Sequence, residues 1–224
     1  MKSWKELAVV MAICAVVVAW NLKSTPEKDE ETEIGGFTTP EYVPVDLTKE
    51  LGPAKRDIVL VQMDQSSELT EWCQKEIAAA TGAKVVKIFP YDEITAPMES
   101  YDDTRSQDDA EIIIDELSSQ FKGSDQAVLA VTSKDLYTSA KPEWRYCFGT
   151  HGPNHTAVIS SVRMGARFQK SLFPTKRAED RFRKLLLRYV LEMAYEVPRN
   201  DDPKSLLYSR VLAPRDLSAM EYRI

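Results

Sequence analysis

The run at residues 57–63 narrows the folds open to this chain more than any other feature. Its apolar residues Ile58, Val59, Leu60 and Val61 are contiguous rather than alternating with polar ones. Such a run needs cover on both faces, as a strand inside a parallel sheet has. Residues 67–81 follow with Leu69, Trp72, Cys73, Ile77 and Ala80 at helical spacing, and Gly82 stops them. Residues 83–89 return to an extended, β-branched pattern closed by Pro90. The unit is β-α-β, which predicts parallel strands joined by a right-handed crossover.

The same reading carries on down the chain. Residues 91–105 are polar and turn-like, and a second helix is predicted over 106–121 with Ala110, Ile113, Ile114 and Leu117 as its apolar stripe. A buried strand is expected at 127–132, an edge strand around 144–148, and a further strand at 156–162. The last long helix is predicted over 175–197. Phe182, Leu185, Leu186, Tyr189, Val190, Met193 and Ala194 recur along it, and Pro198 ends it. A short turn closes the tail at 214–220.

The first quarter has a different character. Residues 7–22 carry no charge and are rich in Val and Ala, with Trp4 and Trp20 near the two ends. Sixteen residues fall slightly short of the ~20 that span a bilayer, and interfacial Trp and Lys side chains extend such a segment. Lys2 and Lys5 precede it, while Glu27, Asp29, Glu30, Glu31 and Glu33 follow. That asymmetry keeps the N-terminus in the cytoplasm and places the rest outside, as a single-pass membrane protein. A cleaved signal peptide, leaving an exported domain, is the competing reading. Residues 23–55, with their acidic cluster, Gly35-Gly36, Pro40, Pro44 and Gly52-Pro53, are expected to be a flexible linker. The expected division is therefore 1–22 anchor, 23–55 linker and 56–224 folded domain.

Net charge is −6 with no basic stripe, which argues against a nucleic-acid partner. Cys73 and Cys147 read either as a disulfide in an exported domain or as two buried small side chains, the latter being favoured. The chain holds two histidines, His151 and His155, around Gly152-Pro153-Asn154. A catalytic zinc usually takes three protein ligands and a water. A loop site would need these two with a carboxylate such as Asp135. Ser160 and Ser161 lack a glycine-flanked elbow, and Cys147 between Tyr146 and Phe148 reads as packed rather than nucleophilic. Glu192 is the one charge on or near the apolar part of the final helix.

Several segments together resemble the archaemetzincins, metzincin-type zinc metallopeptidases. They are the opening strand and helix, Arg105-Ser106-Gln107-Asp108-Asp109-Ala110, the stretch 128–137 ending Asp135-Leu136-Tyr137, Phe148-Gly149, and the stretch 157–164 with Ser160, Arg163 and Met164. The resemblance implies an α/β fold: a metzincin-like, mixed, mostly parallel sheet with crossover helices, here preceded by a transmembrane helix. It also implies a helix bearing His-Glu-x-x-His, a glycine turn, then a third histidine followed by cysteine. Aligned on this chain, Leu191 and Tyr195 stand at the first two histidine positions and Glu192 at the general base. Pro198 stands at the glycine, Asp201 at the third histidine and Asp202 at the cysteine. Downstream, Ser205 and Leu207 match a cysteine and a methionine, in a part that also aligns two residues differently. Leucine has no lone pair for zinc, and tyrosine ligates only as phenolate, with an ordinary pKa near ~10. These substitutions imply a vestigial site without zinc or another cofactor. The expected function is a membrane-tethered pseudoprotease that holds a peptide or protein partner. An atypical zinc peptidase using His151, His155 and Asp135, or a purely structural membrane-associated protein, are the alternatives.

Overall fold

The structure, a computed structural model, describes residues 45–65, 67–164 and 172–224. The anchor expected at residues 7–22 lies outside them. Among the described residues no helix is long and apolar enough to cross a membrane.

The main sheet has five strands: β1 (Ile58–Gln62), β2 (Val85–Phe89), β5 (Ala127–Thr132), β7 (Gly149–His151) and β8 (Thr156–Ser160), in the order β2-β1-β5-β8-β7. The first four are mutually parallel, and β7 pairs antiparallel with β8 at the edge. The contiguous apolar runs become the central strands, every residue of β1, β5 and β8 being buried. Alternate side chains enter opposite cores because successive residues of a strand point to opposite faces. Ile58, Leu60, Leu129 and Ile159 join one core with α1 (Glu68–Thr81) and α3 (Lys176–Ala194). Val59, Val61, Val128, Ala130 and Val158 join the other with α2 (Ala110–Gln120). The domain is thus a helix–sheet–helix sandwich. Cys73 lies in the first core and Cys147 in the second, both free and buried, so the sheet keeps them from pairing.

A second, small sheet joins β3 (Tyr101–Asp102), β4 (Gln107–Asp109) and β6 (Leu136–Tyr137). It revises the predicted start of the second helix. Residues 107–109 are strand, and Asp109 caps α2 by accepting the Glu111 N–H at 3.1 Å. The side chains of Gln107, Asp108 and Asp109 are buried in polar contacts that a helical start would not provide.

The predicted edge strand at 144–148 is irregular apart from one bridge between Leu136 and Cys147; the edge strand is β7, just beyond it. Residues 45–55, expected in the flexible linker, are part of the domain. Leu47 is 1% exposed, its N–H donates to Ala80 O at 2.7 Å, and Val45 and Leu51 pack on the same core. The proline and acid content of the linker masked these apolar footholds.

Helix α3 is held against α1 by a buried ion pair, Arg183 Nε to Glu76 Oε2 at 2.6 Å. Thr175 caps its start, accepting the Ala178 N–H at 3.1 Å. Its end differs from the prediction. The helix stops at Ala194, and Glu196 takes a left-handed φ of 55°. The Val197 N–H then reaches back six residues to Leu191 O at 3.1 Å, one residue further than in a Schellman closure and without the glycine usual at such a turn. The left-handed cost for a residue with a Cβ is ~1 kcal/mol or more. It is met by clamping: Lys55 and Arg56 N–H groups donate to Ala194 O, and both side chains pair with the Glu196 carboxylate.

Candidate functional site

A cleft of about 450 Å³ lies between the segment 144–149, one face of α3, and the chain returning after the Glu196 turn. Its floor is Leu185, Arg188 and Tyr189, which share a face because i, i+3 and i+4 are helix neighbours. A smaller hollow of about 400 Å³ adjoins it, lined by Glu192, Met193, His151 and His155 among others; Arg199 borders both.

Over 144–148 the wall has no regular hydrogen-bond ladder, so side chains brace it. Gln107 Nε2 donates to Arg145 O at 3.1 Å and to Asp135 Oδ2 at 3.0 Å. Arg163 donates to both Asp135 oxygens, with Nε to Oδ1 at 2.8 Å, and its guanidinium lies 4.3 Å from the centre of the Tyr146 ring. Arg105 reaches Trp144 O at 3.3 Å and Pro142 O at 3.2 Å. The Cys147 N–H donates to Leu136 O at 2.9 Å. Gly149 then enters β7 so tightly against β8 that a Cβ there would lie 2.4 Å from Val158 O. Arg105, Gln107, Asp135 and Arg163, the polar residues that carried the sequence resemblance, therefore act together to hold one wall of the cleft.

Where the cleft meets the hollow, Arg199 grips Glu192 with a two-pronged ion pair, Nε to Oε1 at 2.7 Å and Nη2 to Oε2 at 2.9 Å. Arg188 adds Nε to Oε1 at 3.3 Å and donates through Nη1 to Tyr208 O. Arg199 Nη2 also lies 3.3 Å from His151 Nδ1. A guanidinium only donates, so that ring nitrogen is the acceptor. Burial pulls the Arg199 pKa down, but hydrogen bonding and attraction to Glu192 outweigh it, leaving it above the ordinary value. The Arg188 pKa is lowered, first by burial and then by the Arg199 charge. Burial also raises the Tyr189 hydroxyl, and it pushes the Cys147 thiol up to about 12, with Glu111, Asp135 and Asp109 adding to it. That thiol is no nucleophile.

The residues singled out from sequence are dispersed. Leu191 is fully buried in the α1–α3 core, and Tyr195 points the same way, its hydroxyl donating to Thr81 O at 2.9 Å. Asp201 is exposed and accepts from Ser209 Oγ at 2.8 Å, while Asp202 pairs with Arg223. His151 and His155 do share the smaller hollow, yet Asp135 does not join them because Arg163 and Gln107 hold it. Among the described residues no group of three or more His, Cys, Asp or Glu is placed to hold a metal ion. Arg188, Tyr189, Met193 and Arg199 were not singled out. The i, i+4 spacing of Arg188 and Glu192 was the available signal.

No family model matches the chain, and no curated protein matches it. Solved structures do. Archaemetzincin from Methanopyrus kandleri aligns with a TM-score of 0.55 at 22% identity, over 74% of this chain and 86% of that one. A zinc-dependent peptidase from Methanocorpusculum labreanum gives 0.58 at 20% identity, over 75% and 95%. Archaemetzincin from Archaeoglobus fulgidus, complexed with malonate, gives 0.56 at 16% identity, over 73% and 92%. At these identities the likeness is one of fold: the domain has the archaemetzincin-like architecture that the sequence segments implied.

Proposed function

We propose that this domain is a non-catalytic relative of the zinc peptidases that holds an extended peptide in the cleft, tethered outside the cytoplasm by residues 7–22. The observation that carries the reading is the Arg199–Glu192 pair where the cleft meets the adjoining hollow. The left-handed Glu196 supports placing the glycine turn of the resemblance there, since proline at 198 cannot adopt a positive φ. The ligand positions then move up two residues, to Tyr189, Met193 and Arg199, and the cysteine position to Asn200. Ser205 and Leu207 keep their assignments, and Asn200 Nδ2 donates to Ser205 Oγ at 2.9 Å.

Neither alignment fits zinc. In the first, the side chains are buried in the core or face solvent. In the second they are a phenol held protonated by burial, a thioether and a permanent cation. A dication beside two guanidinium groups would also lose Coulomb energy. The domain keeps what peptide binding needs. Phe148 O accepts from Ser160 N and Gly152 N donates to Thr156 O, so alternation turns the backbone groups of Gly149 and His151 outward from the sheet. An extended chain can add there as a further strand.

Elemental analysis of the purified full-length chain tests the metal reading, with fewer than about 0.1 zinc per chain expected, far below the stoichiometric content of a resident site. A tightly held, stoichiometric zinc accompanied by chelator-sensitive peptide cleavage would overturn it. Resistance of the protein to alkaline extraction from membranes tests the tether.

A further inference from the structure

The cleft is cationic on a protein whose net charge is −6. Among the described residues Arg145, Arg188 and Arg199 line it and no acidic residue does; Glu192 stands in the adjoining hollow. Arg188 and Arg199 share that single carboxylate, so one positive charge on the floor has no counter-charge within the pair. The Glu192 contact uses Nε and Nη2 of Arg199. Around these groups the lining is apolar: Tyr146, Phe148, Leu185, Tyr189, Val211 and Leu212. Leu212 and Trp144, at 64% and 42% exposed, hold large apolar surface open to solvent at its border.

We infer that the cleft receives the C-terminal carboxylate of a peptide whose last side chain is apolar, with Arg199 and Arg188 taking the carboxylate and the aromatic and leucine walls taking the side chain. This rests on the peptide-binding reading and specifies its ligand. The pairing of groups selects a chain end. A C-terminal residue carries its carboxylate and its side chain on the same carbon, so both fit one cleft of about 450 Å³. An internal Asp or Glu would bring the charge on its own side chain and leave the apolar wall uncovered. Arginine also suits the planar carboxylate better than a point charge does.

The test uses the full-length chain in detergent and a labelled pool of hexapeptides ending in leucine, randomised elsewhere, as free acid and as C-terminal amide. Fluorescence anisotropy is expected to show the acid binding at least ~10-fold tighter than the amide, a difference of 1.4 kcal/mol. Millimolar malonate should compete, and Arg199→Gln should abolish the acid–amide contrast. Equal binding of acid and amide, with malonate inert, overturns the inference and leaves the peptide groove standing. An amide pool with internal Asp that matches the acid pool also overturns it, in favour of side-chain recognition. Absence of binding by every pool removes both the inference and the groove. The acid–amide and malonate measurements use the unaltered protein, so they decide the matter even if the arginine variant folds poorly.

Discussion

Two arginine–carboxylate clusters flank the cleft, and they differ in what their hydrogen bonds are directed at. Behind the wall, Asp135 receives the Arg163 guanidinium and the neutral Gln107 amide. Beside the floor, Glu192 receives two guanidinium groups, from Arg199 and Arg188. The first cluster is turned inward: its hydrogen bonds run into the backbone of segment 144–149. The second carries two guanidinium groups on one carboxylate, and both arginines line the cleft. A cluster tied into the backbone serves as a brace, whereas one with cations facing a cleft is an invitation to an anion.

Asp135→Ala should have the largest effect, because it strands a partly buried guanidinium and releases the wall together. A loss of about 3 kcal/mol in denaturant unfolding is expected, and a change below ~0.5 kcal/mol would show that the wall needs no brace. Glu192→Gln removes the shared carboxylate and should cost about 2 kcal/mol. It should also strengthen malonate binding several-fold, since both arginines are then free for the ligand; weakened binding would mean that Glu192 orients them rather than competes. Tyr195→Phe removes one buried hydrogen bond to Thr81 O, for about 1 kcal/mol. Peptide binding should be untouched, because Tyr195 faces the core, and an altered affinity would break the distinction between core and cleft residues on α3.

The smallest effect is a pH dependence. Hydrogen bonds from Lys55, then Arg56, hold the Glu196 pKa at about 2, against an ordinary 4.5. A depressed carboxylate stabilises the fold fully above about 4.5, and that contribution is lost as pH falls toward about 2. Unfolding midpoints of wild type and Glu196→Gln should therefore differ at neutral pH and converge across that window. A constant difference would mean that the side chain acts through the turn alone.

The sheet was legible because contiguous apolar runs have few other uses, and α3 because its apolar stripe repeats over more than three turns. The misplacements have physical causes. Glu196 in a left-handed conformation has no local signature, since glycine is the usual marker of such a turn. Reading the stop at Pro198 set the ligand alignment on Leu191 and Tyr195, two residues from the alignment we propose on the Glu196 turn. The start of α2 was read too early because buried polar residues at 107–109 look like an amphipathic helix opening. Glu192 was visible as a lone charge, but its partner Arg199 lies seven residues on, across a reversal that no helical period describes. The zinc-free reading of the site rests on side-chain chemistry that one sequence exposes directly, whereas the excess charge on the floor required knowing which groups meet.

The clamp at the end of α3 has a mechanical side. The chain entering from the N-terminus is fastened first at Leu47, to the last turn of α1, and then at Lys55 and Arg56, to the last turn of α3. Only then does it enter β1. A load applied along that path meets two latches in series before it reaches any strand of the sheet, and the second latch grips the turn that swings Arg199 back into the cleft.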